Sequence, residues 1–397
     1  MFELEATRKT QQNFFKLLKN ANVFSPKPLG VMDLLIAGGR IAAMAPNLDA
    51  VNLPEMEIQV IDCQGNYVVP GFIDAHVHAL GGGGGAGYGS RAPELTATEC
   101  FLAGTTSIVA CLGIDTLTRD PLQLLSKARS LQGRSLNVYT VVGGFELPPK
   151  TVTGDLKKDM YVIPEMLGVG EPAISDLRSS QPSVEYLQSL ISEVHNGGRL
   201  SGKLGIVQFH LGGAPSGTKP LYDLLREGSI KHIKPLHFNR NQQLLEEAPD
   251  WAKQGGYIDL TANLMPPWFP KGIKPAAAAA HLRQKGVPAN QITISTDGNG
   301  VNTIFGVEFV ERFPMSLIHS ELKALVQEIG FSLDEALGYI TANVADALGL
   351  PSKGRICAGL DADLVVMDPQ LNIRHVISMG NLVVDQGERV NKWRLDT

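Results

Sequence analysis

Apolar and polar positions form short runs from about residue 29 to residue 67, and turn residues separate the runs. This spacing predicts a small all-β unit, with strands at Met32–Ala37, Arg40–Met44 and Ile58–Cys63. Ahead of it, a polar stretch is followed by the apolar cluster Phe14–Leu18, which predicts a short helix. The first 67 residues are therefore expected to be mainly β structure.

A different pattern extends from residue 68 to about residue 349, where short apolar runs alternate with segments of helical length. The predicted strands are Thr106–Ala110, Asn137–Val142, Gly205–Phe209, Ile230–Ile233, Tyr257–Leu260 and Gln291–Ser295. The predicted helices include Ser183–Glu193, Ala276–Ala280 and Ser332–Leu348. Repeated strand–helix units predict an α/β fold, a (β/α)8 TIM barrel.

Strand patterns return near the C-terminus, at Ala362–Met367, Ile373–Ile377 and Leu382–Asp385. We expect these strands to join those near the N-terminus. Residues 1–67 and 350–397 would then form a small β-sandwich domain, and residues 68–349 would form the barrel.

Composition narrows the class of protein. With 397 residues, 44% hydrophobic and 19% charged, the chain is globular and long enough for a large core. A net charge of −5 speaks against nucleic acid or an acidic membrane as a partner. The acidic residues after Met1 do not fit a secretory signal, and no apolar run approaches the ~18 residues of a membrane helix. We therefore expect a cytoplasmic protein.

Four cysteines are scattered along the chain without the spacing of a metal motif: Cys63, Cys100, Cys111 and Cys357. We interpret them as small buried apolar residues in a reducing compartment.

The strongest chemical signal is a His-X-His pair near the end of an apolar run. Val68–Ile73 predicts a strand buried on both faces, and His76 and His78 follow it. Residues i and i+2 of a strand point to the same face, so both imidazoles can reach one metal ion. The glycine-rich segment 81–87 behind them favours either a mobile lid or a close approach of backbone to a ligand.

Four further residues end other short apolar runs: Glu171, His210, His237 and Asp297. Barrel active sites lie at the carboxyl ends of the strands, so all six side chains are expected to meet there. Four imidazoles and two carboxylates suit two divalent cations, with zinc as the default, and indicate metal-assisted hydrolysis.

Each of these residues alone has a simpler interpretation, as a core histidine, a solvated glutamate or, at Asp297, a turn residue. Only their joint placement favours a metal centre. The remaining histidines lack that placement and are interpreted as structural: His195, His232, His281, His319 and His375.

Two motifs resemble those of a known family. Residues 70–78, PGFIDAHVH, resemble the opening metal motif of the amidohydrolase superfamily, and residues 354–364 resemble its closing signature. More narrowly, segments 81–84, 173–179, 237–241 and 295–300 resemble the isoaspartyl dipeptidases. The resemblance implies a homo-oligomeric enzyme that hydrolyses isoaspartyl (β-aspartyl) dipeptides.

The resemblance also implies how the metal ions are held. The more buried ion would be bound by His76, His78 and Asp297, and the second by His210 and His237.

Many members of the superfamily bridge the two ions with a carboxylated lysine, and this chain has Glu171 in that place. Both bridges carry one negative charge, so we expect metal assembly that needs no carbon dioxide. The resemblance further implies that Asp297 acts as the general base and then as the general acid.

Arg178 and Arg240 match the arginines that bind the substrate carboxylate in the dipeptidases, and planar guanidinium groups suit that role. Four pocket positions depart from the family pattern by losing a polar group. Gly85 replaces a glutamate for the substrate α-ammonium, Phe145 a tyrosine, Val301 a serine and Ile114 a small polar residue.

Three functions follow from this mixture. The first is hydrolysis of isoaspartyl dipeptides. The second is a related amidohydrolase whose substrate keeps a carboxylate but is N-blocked, or is a cyclic amide or imide. The third is a non-enzymatic homologue, against which the complete ligand set argues.

Overall fold

The computed structural model describes residues 14–48, 58–301 and 311–390, so the predicted polar stretch before Phe14 lies outside the described residues. The N-terminal strands are β1 (Phe15–Phe24), β2 (Pro28–Ala37), β3 (Arg40–Ala45), β4 (Ile58–Asp62) and β5 (Tyr67–Pro70). The β structure predicted for this part is present.

Eight further strands within the described ranges form two parallel sheets, a curled sheet of six strands and a pair. They are β6 (Phe72–Val77), β7 (Thr105–Ala110), β8 (Asn137–Val142), β9 (Met166–Ile174), β10 (Ile206–Leu211), β11 (Ile233–Leu236), β12 (Ile258–Thr261) and β13 (Ile292–Ser295). β6 to β11 pair in chain order, and β12 pairs with β13. A parallel bridge between Val77 and Gly298 brings the chain after β13 back beside β6. This is the TIM-barrel-like fold that the sequence predicts.

Helices follow these strands. They are α1 (Ala97–Leu102), α2 (Pro121–Gln132), α3 (Leu156–Val162), α4 (Val184–Ser201), α5 (Lys219–Tyr222), α6 (Gln242–Lys253), α7 (Pro275–Gln284), α8 (Leu317–Lys323), α9 (Leu333–Ile340) and α10 (Ala342–Leu348). Local sequence sets their ends: Asp120 and Gln123 form a capping box at α2, and Gly202 ends α4 in the left-handed conformation. Apart from Asn137 and Tyr139 in β8, the barrel strands are buried along their length, and the main hydrophobic core lies between them and these helices.

The last four strands return to the N-terminal ones. They are β14 (Leu364–Met367), β15 (Ile373–Ser378), β16 (Asn381–Asp385) and β17 (Glu388–Arg389). β14 pairs antiparallel with β5, so strands from both ends of the chain share one nine-stranded mixed sheet. The two-layered sandwich predicted for these segments stays a prediction.

Two predictions near the N-terminal end of the barrel are wrong. Phe14–Leu18 does not begin a helix, because Phe15–Phe24 is strand β1, paired with β2. The apolar run Val68–Ile73 is not one strand: β5 belongs to the mixed sheet and β6 to the barrel. Gly71 lies at the crossing, where an added Cβ would stand 2.1 Å from Thr106 Oγ1, so the Thr106 side chain leaves no room for one at residue 71.

Three further predictions need correction. Residues 229–232 form a 3-10 helix, and the strand predicted at Ile230–Ile233 begins only at Ile233. The helix predicted over Ser332–Leu348 is interrupted at Thr341, whose φ of −135° and ψ of −91° are not helical. Cys357 is exposed, whereas Cys63, Cys100 and Cys111 are buried as predicted. Within the described ranges, no helix is both long and apolar enough to cross a membrane.

Candidate metal centre

The six predicted metal residues come together at the carboxyl ends of the barrel strands. They are His76 in β6, His78 directly after it, Glu171 in β9, His210 in β10, His237 directly after β11 and Asp297 shortly after β13. Glu171 differs from expectation in one respect, because its strand continues beyond it to Ile174. The convergence follows from the parallel sheet, which brings the same end of every strand to one mouth.

The first group of potential ligands consists of His76, His78, Glu171 and Cys111. One ligand atom from each residue lies within 4.8 Å of the others. His76 Nε2 is 3.0 Å from Glu171 Oε2, and all four side chains are buried. Cys111 was not predicted here, because it approaches the histidines only through the pairing of β6 with β7.

The second group consists of Glu171, His210 and His237, and it meets the same 4.8 Å criterion. His210 Nδ1 lies 3.6 Å from Glu171 Oε2. Glu171 therefore belongs to both groups, which is the geometry that a bridging carboxylate between two cations needs.

The groups fit metal ions because several of their polar atoms lack another partner. Both oxygens of Glu171, Nδ1 of His210 and Nε2 of His237 are buried and have no hydrogen-bond partner outside the two groups. A buried polar atom without a partner costs about 1–3 kcal/mol, a penalty that coordination of a cation would remove. Imidazole, carboxylate and thiol donors are those that zinc favours.

The charge states of Glu171 and His237 suit cation binding as well. Burial by itself would raise the pKa of the Glu171 carboxyl, but His76 and the neighbouring imidazoles hold that pKa well below its ordinary value. Burial, assisted by His210 and Arg240, lowers the pKa of His237 well below its ordinary value. An ionised carboxylate and a neutral imidazole are the forms that bind metal.

A chain of hydrogen bonds orients His237. Its Nδ1 lies 2.8 Å from Thr261 Oγ1, and the Thr261 hydroxyl donates to Asp259 Oδ2 at 2.8 Å. Because the hydroxyl proton goes to Asp259, Thr261 accepts from Nδ1, and the lone pair of Nε2 is left facing the centre. Burial raises the pKa of Asp259 to about 6. Neither Thr261 nor Asp259 carried a signal in the sequence beyond its place at a strand end.

Asp297 lies beside the first group without belonging to either group. Its Oδ1 is 2.8 Å from His78 Nε2 and 3.7 Å from His76 Nε2, and its Oδ2 accepts a hydrogen bond from Asn263 at 2.8 Å. Burial would raise the pKa of Asp297, but His78 and His76 lower it below its ordinary value. The carboxylate is therefore ionised and held by two fixed partners.

Asp74 fixes the backbone that carries Asp297. The buried Asp74 carboxyl accepts hydrogen bonds from the hydroxyl and from the backbone N–H of Thr296, the latter at 3.1 Å. Burial raises the pKa of Asp74 to about 6. Sequence reasoning missed Asp74 and Asn263, because their partners lie far away along the chain.

A cleft of 420 Å³ opens above the metal residues. All the predicted substrate positions line it: Gly85, Ile114, Phe145, Arg178, Arg240 and Val301. Further apolar walls come from Leu112, Phe269 and Phe313. The cleft thus joins the metal centre to two arginines through largely apolar surroundings.

The two arginines differ in the groups to which they donate hydrogen bonds. Arg178 donates through Nε and Nη2 to the two carboxylate oxygens of Asp176, at 2.9 and 2.7 Å, and it stacks over the ring of Phe145. Arg240 donates through Nε to the Leu211 carbonyl at 2.7 Å. The Nη2 atoms of Arg178 and Arg240 lie 3.1 and 3.3 Å from His210 Nε2, so both side chains border the second ligand group.

The first part of the glycine-rich segment packs tightly against neighbouring backbone. A Cβ added to Gly81 would lie 2.1 Å from the Ala92 carbonyl oxygen, and one added to Gly83 would lie 1.8 Å from that of Ser90. Gly82 also donates a backbone hydrogen bond to Asn299 at 2.8 Å. Close backbone packing therefore explains these three glycines.

The five other histidines belong to neither ligand group. His195 and His232 contact each other at 2.9 Å, and His319 contacts the Leu371 carbonyl at 2.6 Å. His281 and His375 lie 3.0 and 2.9 Å from carboxylate oxygens.

A family model and two solved structures are similar to this chain. A sequence model described as the amidohydrolase family matches residues 271–383. The crystal structure of a beta-aspartyl dipeptidase from Fervidobacterium islandicum AW-1 is 36% identical, with a TM-score of 0.88, over 96% of this chain and 99% of that one. A second structure of that dipeptidase, in complex with the dipeptide beta-Asp-Leu, is 35% identical with the same coverage and TM-score.

More distant sequences are also similar. An adenine deaminase from Bacillus pumilus is 23% identical over 97% of this chain, and the chain spans 60% of that protein's length. For a second adenine deaminase, from Geobacillus kaustophilus, the chain spans 52% of the protein's length.

Proposed function

The chain belongs to the amidohydrolase family and is beta-aspartyl dipeptidase-like, and from that premise we propose that it hydrolyses the amide bond of isoaspartyl dipeptides with two divalent cations, most simply zinc. The observation that carries the proposal is the pair of ligand groups that share Glu171. A structural relative bound to beta-Asp-Leu supports a dipeptide as substrate.

The proposed ligands are His76 and His78 with Asp297 for one cation, His210 and His237 for the other, and Glu171 between them. Two bound cations would lower the pKa of a bound water, so that it loses a proton near neutral pH. They would also act as a Lewis acid that polarises the scissile carbonyl. Zinc is the proposed metal because the donors are mainly imidazole.

Asp297 is the proposed proton carrier. Its Oδ1 and Oδ2 are held by His78 and Asn263, so the carboxylate faces the cleft in a fixed position. The ionised form accepts the proton of the attacking water, and the protonated form returns it to the leaving amine. Arg240 and Arg178 are the proposed partners of the substrate carboxylate.

A second substrate class is favoured by one feature of the cleft. The acidic residues that line its described part are Glu171, Asp176 and Asp297. Two of these, Glu171 and Asp297, belong to the proposed catalytic centre. Asp176 already accepts hydrogen bonds from Nε and Nη2 of Arg178. A substrate α-ammonium would therefore lack a free carboxylate there, which favours an N-blocked or cyclic amide that keeps its carboxylate.

A substrate panel tests both candidates with the zinc-loaded protein. Beta-Asp-Leu, its N-acetyl derivative and a cyclic imide of aspartate are compared by release of amine or carboxylate, with Asp297→Asn as the background control. Fast turnover of beta-Asp-Leu supports the dipeptidase. Turnover of only the blocked or cyclic compounds supports the second class, and no turnover of any compound contradicts both.

Glu171 as the bridge has its own test. Apoprotein stripped by chelation is reloaded with zinc in buffer free of carbon dioxide, and in the same buffer with bicarbonate. Equal recovery of bound zinc is expected, since glutamate needs no carboxylation. A requirement for bicarbonate would contradict the assignment of Glu171.

We also propose the two domains expected from the sequence, with the first boundary placed at Gly71, between β5 of the mixed sheet and β6 of the barrel, and a homo-oligomeric assembly. The pairing of β5 with β14 supports a unit built from both ends of the chain.

A further inference from the structure

Cys111 is a member of the first ligand group to which the proposed mechanism gives no role. It follows β7 directly, and its side chain is buried. Its Sγ lies 3.8 Å from His76 Nε2 and 3.6 Å from His78 Nδ1. We propose that Cys111 supplies a thiolate ligand to the cation held by His76 and His78.

The separations match those of a coordination shell. A tetrahedral zinc ion, with sulfur at about 2.3 Å and nitrogen at about 2.0 Å, holds the two atoms about 3.5 Å apart. The 3.8 Å separation of Sγ from His76 Nε2, the atom that also faces Glu171, is close to that distance. His76 Nε2 and Glu171 Oε2 are separated by 3.0 Å, so the carboxylate closes the same shell.

Two independent observations support a ligand at this point. Both oxygens of Glu171 are buried with no hydrogen-bond partner outside the ligand groups, and Glu171 belongs to the same group as the thiol. In contrast, the other two buried cysteines, Cys63 and Cys100, belong to neither ligand group of the described residues. Burial of a thiol therefore does not by itself place it among ligands in this chain.

A thiolate changes the chemistry of the centre in two ways. Two dications carry four positive charges, of which Glu171 and Asp297 balance two; the thiolate balances a third, and its proton leaves to solvent on binding. Sulfur is also a soft ligand that favours zinc over manganese or magnesium. Cys111 thus decides the metal preference that the imidazoles and carboxylates leave open.

This inference rests on the proposed metal centre, and its test measures coordination instead of turnover. X-ray absorption at the zinc edge is recorded on the zinc-loaded full chain carrying Cys357→Ser, which removes the exposed thiol as an adventitious ligand. A sulfur neighbour at about 2.3 Å from zinc is expected. A shell of nitrogen and oxygen alone, in protein that holds two zinc ions, would overturn the proposal.

Matched variants locate the sulfur. Cys111→Ser in the same background should lose the sulfur neighbour and shift metal competition from zinc toward manganese. Cys100→Ser, at a buried thiol outside the ligand groups, should change neither. If Cys111→Ser fails to fold, the spectrum of the Cys357→Ser protein still decides. A sulfur ligand in the zinc shell without hydrolysis of beta-Asp-Leu would contradict only the proposed substrate. Hydrolysis of beta-Asp-Leu by protein whose zinc has only nitrogen and oxygen ligands would contradict only this inference.

Discussion

The cleft has two parts that are built differently: a metal half, formed by the proposed metal ligands and Asp297, and a recognition half, formed by the other residues that line the cleft. In the metal half, buried side chains converge with several atoms unpartnered outside the ligand groups, and hydrogen bonds to Thr261 and from Asn263 fix their orientation. In the recognition half, apolar side chains at Ile114 and Phe145 line the walls, and Arg178 is already paired with Asp176. One set of residues thus determines the type of reaction and another set determines which substrate binds, so the two need separate tests.

The largest expected effect lies in the metal half. Asp297→Asn keeps the size of the side chain but removes its ability to accept a proton. We expect kcat to fall by about 10²–10⁴-fold, the usual contribution of general acid–base catalysis. Zinc content and thermal unfolding are measured in parallel. Activity within a few-fold of the parent at equal zinc content would show that Asp297 carries no proton.

The next effect compares the arginines of the recognition half. Arg240→Leu should raise KM for a carboxylate-bearing substrate by about 10–100-fold, since a charged hydrogen bond contributes roughly 1.5–3 kcal/mol. Arg178→Leu is the matched variant and should cost less, because Asp176 already occupies its guanidinium. A substrate amidated at that carboxylate should respond to neither change. Equal effects on the acid and the amide would assign both arginines a purely structural role.

Gly85→Glu asks whether the recognition half can be converted. It adds a carboxylate to the cleft lining at the position where the dipeptidase pattern has one. The ratio of kcat/KM for beta-Asp-Leu to that for its N-acetyl derivative should rise by about tenfold, given the ~1.5 kcal/mol of one charged hydrogen bond. Gly85→Gln, which lacks the charge, is the control. An unchanged ratio would mean that the α-ammonium does not reach residue 85.

A smaller effect, on stability, contrasts two buried glutamates. Histidines lower the pKa of Glu171, whereas burial raises the pKa of Glu321, in α8, to about 7. Because the pKa of Glu321 is raised in the folded protein, its protonated side chain contributes fully to the free energy of unfolding below pH 4.5. That contribution is lost as the pH rises through 7.

Glu321→Gln should therefore leave stability unchanged near pH 4.5 and increase it at pH 8, by up to about 3 kcal/mol. Denaturant unfolding at the two pH values measures the difference, with Glu227→Gln, at an exposed position, as control. Equal stability of variant and parent at both pH values would contradict the buried, neutralised state of Glu321.

Sequence patterns predicted the metal half better than the recognition half for a physical reason. The two-residue period of a strand placed His76 and His78 on one face, and the parallel barrel gathered the strand ends. Cys111 and Asp176 escaped prediction, because a buried cysteine and a loop aspartate acquire their partners only by tertiary folding.

The errors in the fold have equally local causes. The run Val68–Ile73 is apolar throughout, so nothing in its hydrophobicity marks the passage from the mixed sheet to the barrel at Gly71. At Phe14–Leu18 the apolar cluster was too short to distinguish a helix from a strand, and pairing with β2 decided it.

Anomalous diffraction at the zinc edge, from crystals of the zinc-loaded protein, tests the central claim most directly. The account predicts two peaks at the barrel mouth, one beside His76 and His78 and one beside His210 and His237, with Glu171 between them. Absence of anomalous density among these side chains, in protein that still hydrolyses its substrate, would contradict it.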